Sequence, residues 1–193
     1  MLKAENQVFS LGSLNSAGNA AKWSKGTAKV GAYLGGICTS VTLRWIRKTV
    51  DGGNVTSASD LGGAHSMNIA FAAADIKYGK EGMSGHFQAH GLKPVKTTTE
   101  SLKSYHKMLG KITDTRGLLC VVLRKGSAGH AVGFKVSPGK GHSGYQFLDP
   151  NDGLYRWSAK DKQGFVDDVA AELRSNYSDF YGGDYEIYTM LDD

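Results

Sequence analysis

Gly35-Gly36-Ile37-Cys38-Thr39-Ser40-Val41-Thr42-Leu43-Arg44-Trp45-Ile46 is the stretch around which the chain is organised. A glycine pair precedes a cysteine, and the cysteine opens a run whose apolar residues fall at helical spacing. Val41, Trp45 and either Leu43 or Ile46 share one face of that helix. The run is expected to end near Val50, because Asp51-Gly52-Gly53-Asn54 is a strong stop. A thiol at a helix N-terminus meets the positive end of the macrodipole and unpaired backbone N–H groups, and both favour the thiolate. Cys38 is therefore a candidate nucleophile.

A cysteine with a pKa of about 8.5 is only a few per cent thiolate at neutral pH. A paired imidazole lowers that value, and at about 1.4 kcal/mol per unit a shift of about four units needs roughly 5 kcal/mol. The imidazole must itself be oriented by an acceptor on its second nitrogen. Of six histidines, His130 is the best partner. It opens the strand-like run Ala131-Val132-Gly133-Phe134-Lys135-Val136 beside a glycine. Asp149 ends the next strand-like run and is followed by the turn Pro150-Asn151-Asp152-Gly153. Paired as a hairpin, these strands return Asp149 towards His130. His86 and His90 stand at i, i+4, but 82–96 reads as loop or short extended chain and no third ligand has metal spacing. His65 and His106 read as helix-surface residues and His142 as a loop residue. No phosphate-binding glycine motif is present, and no metal or other cofactor is expected.

The rest of the chain supplies the frame. Residues 1–30 are rich in Ser, Gly, Asn and Ala without a sustained period and read as an N-terminal arm, leaving 31–193 as one domain. A second helix is expected over 59–78, with Asp60 near its start. Thr97-Thr98-Thr99-Glu100 has capping-box spacing and predicts a third helix to about Leu109. After residue 117 the texture becomes strand-like: 118–123, 130–136, 145–148, 154–157 and 185–190. Phe165, Val169 and Leu173 mark one inserted helix. Helices first and an antiparallel meander after them predict an α+β fold, with the Cys38 helix packed on a C-terminal antiparallel sheet.

Composition bounds the function classes. The 193 residues carry 23 Lys and Arg against 18 Asp and Glu, a net charge of +5, yet aromatics are not interleaved with the basic stretches as nucleic-acid binding requires. No apolar run reaches the roughly 18 residues of a membrane span. The first residues carry an acid and no apolar signal core, so synthesis in the cytosol without a signal peptide is expected. Cys120 lies in an apolar strand-like run and reads as a buried core residue; a disulfide with Cys38 is not expected in a reducing compartment.

Three blocks, Gly36-Ile37-Cys38-Thr39-Ser40-Val41 with Trp45, Gly129-His130-Ala131-Val132, and Leu148-Asp149-Pro150-Asn151-Asp152-Gly153-Leu154, resemble in order and spacing those of the YopT/AvrPphB-type cysteine proteases, papain-like bacterial effectors. The resemblance implies a papain-like fold, Cys38 as nucleophile, His130 as general base then acid, and Asp149 as its orienting group. It implies a protein substrate, delivery from a bacterium into another cell, and a cognate inhibitor, immunity protein or chaperone as partner. The chain departs from papain-like enzymes at the oxyanion hole. They place Gln or Asn five or six positions before the cysteine, where this chain has Tyr33 and Ala32. The backbone N–H of Cys38 is one expected donor; Tyr33, or a distant residue such as Asn19 or Gln7, is the candidate for the second. Deamidation or acyl transfer on the same fold, and a non-catalytic interaction domain, are the alternative readings.

Overall fold

The computed structural model describes residues 2–11, 38–62, 82–137 and 144–190. Its helices are α1 (Cys38–Val50), α2 (Met83–Ala89), α3 (Tyr105–Asp114) and α4 (Lys162–Asn176). Its strands are β1 (Gln7–Ser10), β2 (Lys96–Ser101), β3 (Gly117–Lys125), β4 (Ala128–Ser137), β5 (Gly144–Asp149), β6 (Gly153–Trp157) and β7 (Asp184–Met190). The strands form one antiparallel sheet in the order β1-β6-β5-β4-β3-β7-β2. Strands β3 to β6 are a meander, as their alternation with tight turns predicts.

The sheet is covered on both faces. In β3, Leu119, Val121 and Leu123 face the cluster that includes α3 and α4, whereas Leu118, Cys120 and Val122 face the cluster that includes α1. This division follows from the two-residue period of a strand. On α1, Val41, Leu43, Trp45 and Ile46 are all buried, as are Ser40 and Thr42. The helix is enclosed on more than one side, and burying each large apolar side chain contributes roughly 1.5–3 kcal/mol. Leu61 and Phe87 belong to the same cluster, and the Arg44 guanidinium donates to the Leu61 carbonyl at 3.0 Å.

Gly133 in the middle of β4 decides how close α1 lies. A Cβ there would come within 2.7 Å of Trp45 Cε3 and Cζ3, so the indole rests on bare backbone. The hydroxyl of Thr42 donates to the Ala131 carbonyl at 3.2 Å, a second tie between α1 and β4. The β4–β5 pairing begins at Gly133↔Leu148, so residues 128–132 of β4, paired with β3, extend beyond it.

Two expectations fail. Thr97–Glu100 is part of strand β2, paired with β7 from Lys96↔Thr189 to Ser101↔Asp184. Three consecutive β-branched residues and a waiting sheet edge outweigh a local capping pattern. The helix starts later, at Tyr105, where the Ser104 hydroxyl accepts from the Lys107 N–H at 3.4 Å. Residues 83–89, expected as loop, are a helix that buries Met83, His86 and Phe87. Its short apolar face gains order from packing on the α1 side rather than from its own propensity. Of the helix expected over 59–78, residues 63–78 lie outside the described residues; Ala58–Leu61 is a single 3₁₀ turn with Asp60 in a capping box with Ser57. Within the stretch read as an arm, Gln7–Ser10 adds an edge strand beside β6.

Candidate active site

Cys38 is the first residue of α1, so its sulfur lies where backbone N–H groups have no acceptor within the helix. His130 lies near the start of β4, and Asp149 is the last residue of β5. Continuing the β4–β5 register by one pair sets Asp149 opposite Val132, and therefore diagonal to His130 on the same face. The side chains meet: His130 Nε2 is 3.1 Å from Asp149 Oδ1. The imidazole is also coupled to the Cys38 sulfur, and with Nε2 turned to Asp149 the nitrogen left for the thiol is Nδ1. The three residues singled out in sequence are thus brought together, drawn from a helix start and two strand ends.

The site is dry. Asp149 has no exposed surface, and Cys38 and His130 are 5% and 6% exposed. Burial alone raises the thiol pKa, but the His130 hydrogen bond and charge, with N–H groups of Ala131 and Thr39, outweigh it and hold Cys38 below the ordinary thiol value. Burial likewise lowers the imidazole pKa, yet Asp149 and the Cys38 sulfur push His130 up to about 10. Asp149 is held below the usual carboxylate range: burial raises it, and bonds from His130, the Asn151 N–H and the Tyr177 hydroxyl reverse the sign. All three shifts favour a thiolate–imidazolium pair backed by a carboxylate.

Two contributors were not legible beforehand. The Asn151 N–H donates to Asp149 Oδ1 at 2.9 Å, a side-chain turn that an Asp two residues before an Asn in a tight turn permits. Tyr177 donates its hydroxyl to both Asp149 oxygens, at 2.9 and 2.8 Å. The four-residue period Phe165, Val169, Leu173 points to Tyr177 when carried one step further. Of the oxyanion candidates, Tyr33 and Asn19 lie outside the described residues. The Gln7 amide donates to the Tyr155 hydroxyl at 2.9 Å on the β1 edge, so it is committed away from the thiol. His90 caps the C-terminus of α2, its Nδ1 against the His86 carbonyl at 2.9 Å. Both cysteines are free.

No protein-family model and no curated protein matches this chain. Among solved structures, the chain is similar to the Pseudomonas avirulence protein AvrPphB, with a TM-score of 0.55 over 87% of this chain and 97% of that one. The shared architecture is the papain-like fold. At 14% identity the likeness to AvrPphB is one of backbone course. It agrees with the fold implied by the three sequence blocks, in which a helix headed by the cysteine packs on an antiparallel sheet. Among the described residues no helix is long and apolar enough to cross a membrane.

Proposed function

We propose that this chain is a cysteine peptidase in which Cys38, His130 and Asp149 act as a triad on a protein substrate. The observation that carries this reading is the 3.1 Å His130–Asp149 hydrogen bond, with His130 coupled electrostatically to the Cys38 sulfur at the head of α1. The Cys38 thiolate attacks the amide carbonyl, and the carbonyl electron pair moves to oxygen. The backbone N–H of Cys38 faces the developing oxyanion as one donor. When the C–N bond breaks, the imidazolium Nδ1–H gives its proton to the leaving amine, and a thioester remains. The now neutral imidazole takes a proton from water, whose oxygen attacks the thioester; collapse releases the acid and restores the thiolate. Asp149 keeps its negative charge throughout and holds the ring and its tautomer.

The likeness to an avirulence protein supports a role as an effector acting on a protein of another cell. The test joins two measurements. The pH dependence of iodoacetamide alkylation at Cys38, read by mass spectrometry, is expected to show a midpoint well below 8.5 in the wild type. In His130→Ala it should rise to that value or above it. Incubation with a proteome-derived peptide library is expected to create new N-termini that vanish with Cys38→Ala. A midpoint near 8.5 in both proteins, or labelling of Cys38 only in denaturant, sinks the proposal. A depressed midpoint with new carboxylates on Gln or Asn side chains, and no new N-termini, would assign deamidation instead.

A further inference from the structure

Tyr177 lies just past the end of α4 and packs in the cluster on the opposite face of the sheet from α1. Its ring stacks on the His130 imidazole with centroids 4.3 Å apart and planes 17° from parallel. Its hydroxyl bridges both oxygens of Asp149 and accepts from Asn151 Nδ2 at 2.7 Å. Its backbone is fixed at both groups: the N–H donates to the Leu173 carbonyl at 2.9 Å, and the carbonyl accepts from the Tyr105 hydroxyl at 2.6 Å. A core tyrosine needs one hydrogen-bond partner and a packed ring. Tyr177 instead touches two successive members of the same chain in two different ways.

We propose that Tyr177 is the positioning residue of this site, its ring setting the plane of His130 and its hydroxyl setting the rotation of the Asp149 carboxylate. This rests on the reading of Cys38, His130 and Asp149 as a triad. A carboxylate with a donor across both oxygens cannot turn about its Cβ–Cγ bond without breaking that bridge, so Oδ1 stays aimed at Nε2. An imidazole stacked on a fixed ring cannot tilt away from the sulfur. The helical layer of α3 and α4, which carries no triad member, thereby sets the geometry of the Cys38 chemistry. Partners that orient a reacting group from behind commonly matter 10–100-fold.

The groups that face this network are Cys38 from α1, His130 from β4 and Asp149 from β5, with Asp152, Tyr155 and Glu172 further out. Tyr177→Phe keeps the stacked ring and removes only the hydroxyl. It is expected to raise the Cys38 alkylation midpoint by about one pH unit, about a tenfold change in the thiol–thiolate equilibrium. Tyr177→Leu, which removes the ring as well, should raise it by about two units. The wild type is expected to show a downfield, slowly exchanging His130 Nε2–H proton signal, which should broaden or vanish in both variants. Tyr105→Phe, which frees only the Tyr177 carbonyl, should give a smaller shift of the same sign. A folded Tyr177→Phe that titrates at the wild-type midpoint and keeps the ring-proton signal overturns the proposal while leaving the triad standing. A wild-type midpoint near 8.5 overturns the triad reading, and this one with it. If Tyr177→Leu does not fold, Tyr177→Phe alone decides.

Discussion

Cys38 and Cys120 belong to the same hydrophobic cluster and are both buried, yet their chemistry is opposite. Cys120 stands in the middle of β3 with apolar neighbours, and burial pushes its thiol well above the ordinary range. Cys38 heads a helix with an imidazole and two backbone N–H groups around its sulfur, and its pKa moves down. Two histidines repeat the contrast. His130, backed by a carboxylate, is raised; His90, at the C-terminal cap of α2, is lowered, by burial first and by the Arg44 charge as well, against the opposing pull of the His86 carbonyl. Burial therefore does not decide whether a group is charged. The partners that burial brings with it do.

The contrast is most sharply broken by removing one thiol at a time. Cys38→Ala is expected to lower peptide hydrolysis by a factor of about 10⁴ or more, since losing a nucleophile removes the whole covalent route. Cys120→Ala should leave both hydrolysis and the Cys38 titration within about twofold, and equal losses in the two variants would refute the division of roles. Asp149→Asn comes next. It retains the shape but leaves the imidazolium without its carboxylate, and hydrolysis should fall by about 10²–10⁴; the alkylation midpoint should rise, making Cys38 more like Cys120. Activity undiminished in a folded Asp149→Asn would detach Asp149 from the site.

A stability effect follows from the packing that places Cys38. Gly133→Ala puts a methyl into the Trp45 indole and is expected to destabilise the fold by about 1–3 kcal/mol, measured as the shift of the urea midpoint at constant slope. A neutral result would mean that α1 is free to move outward over β4.

The smallest effect is in the pH dependence of stability. The raised His130 pKa contributes stability that is fully present below about 6.5, the unfolded value, and is lost as pH rises through about 10. The lowered Cys38 pKa contributes stability fully present above about 8.5, the unfolded value, and lost as pH falls through its folded value. Between about 6.5 and 8.5 the two slopes oppose each other, because folded pair and unfolded chain each hold one proton. Unfolding free energy should be flat there in the wild type and then decline towards pH 10. In Cys38→Ala the offset is gone, and the decline should begin near 6.5. A wild-type curve that already falls from 6.5 would show that Cys38 is protonated in the folded protein at neutral pH.

Much of this arrangement was written locally. The glycines after Val50 stop α1 where helix chemistry says they should, and the apolar runs from 118 onward alternate with turn residues closely enough to give the meander. From that meander alone, Asp149 could be brought back towards His130, because a hairpin register is short-range geometry. Thr97–Glu100 and 83–89 were misread for the complementary reason. The first depends on β7, almost ninety residues away, and the second on the packed cluster around α1. Local propensity is worth tenths of a kcal/mol per residue, and a sheet edge or a buried face outweighs it.

The sequence by itself determined which residues are the candidates for the chemistry, the order in which the chain presents them, and the helix that starts at the thiol. These follow from spacing, glycine stops and strand alternation, which are properties of neighbours. Only the tertiary structure decided that Ala131 turns its backbone to the sulfur, that Gly133 lets Trp45 settle on the sheet, and that Tyr177 reaches both His130 and Asp149. Each of those contacts joins segments tens of residues apart. Their free energy comes from burial and from hydrogen bonds in a dry interior, and neither exists until the layers close.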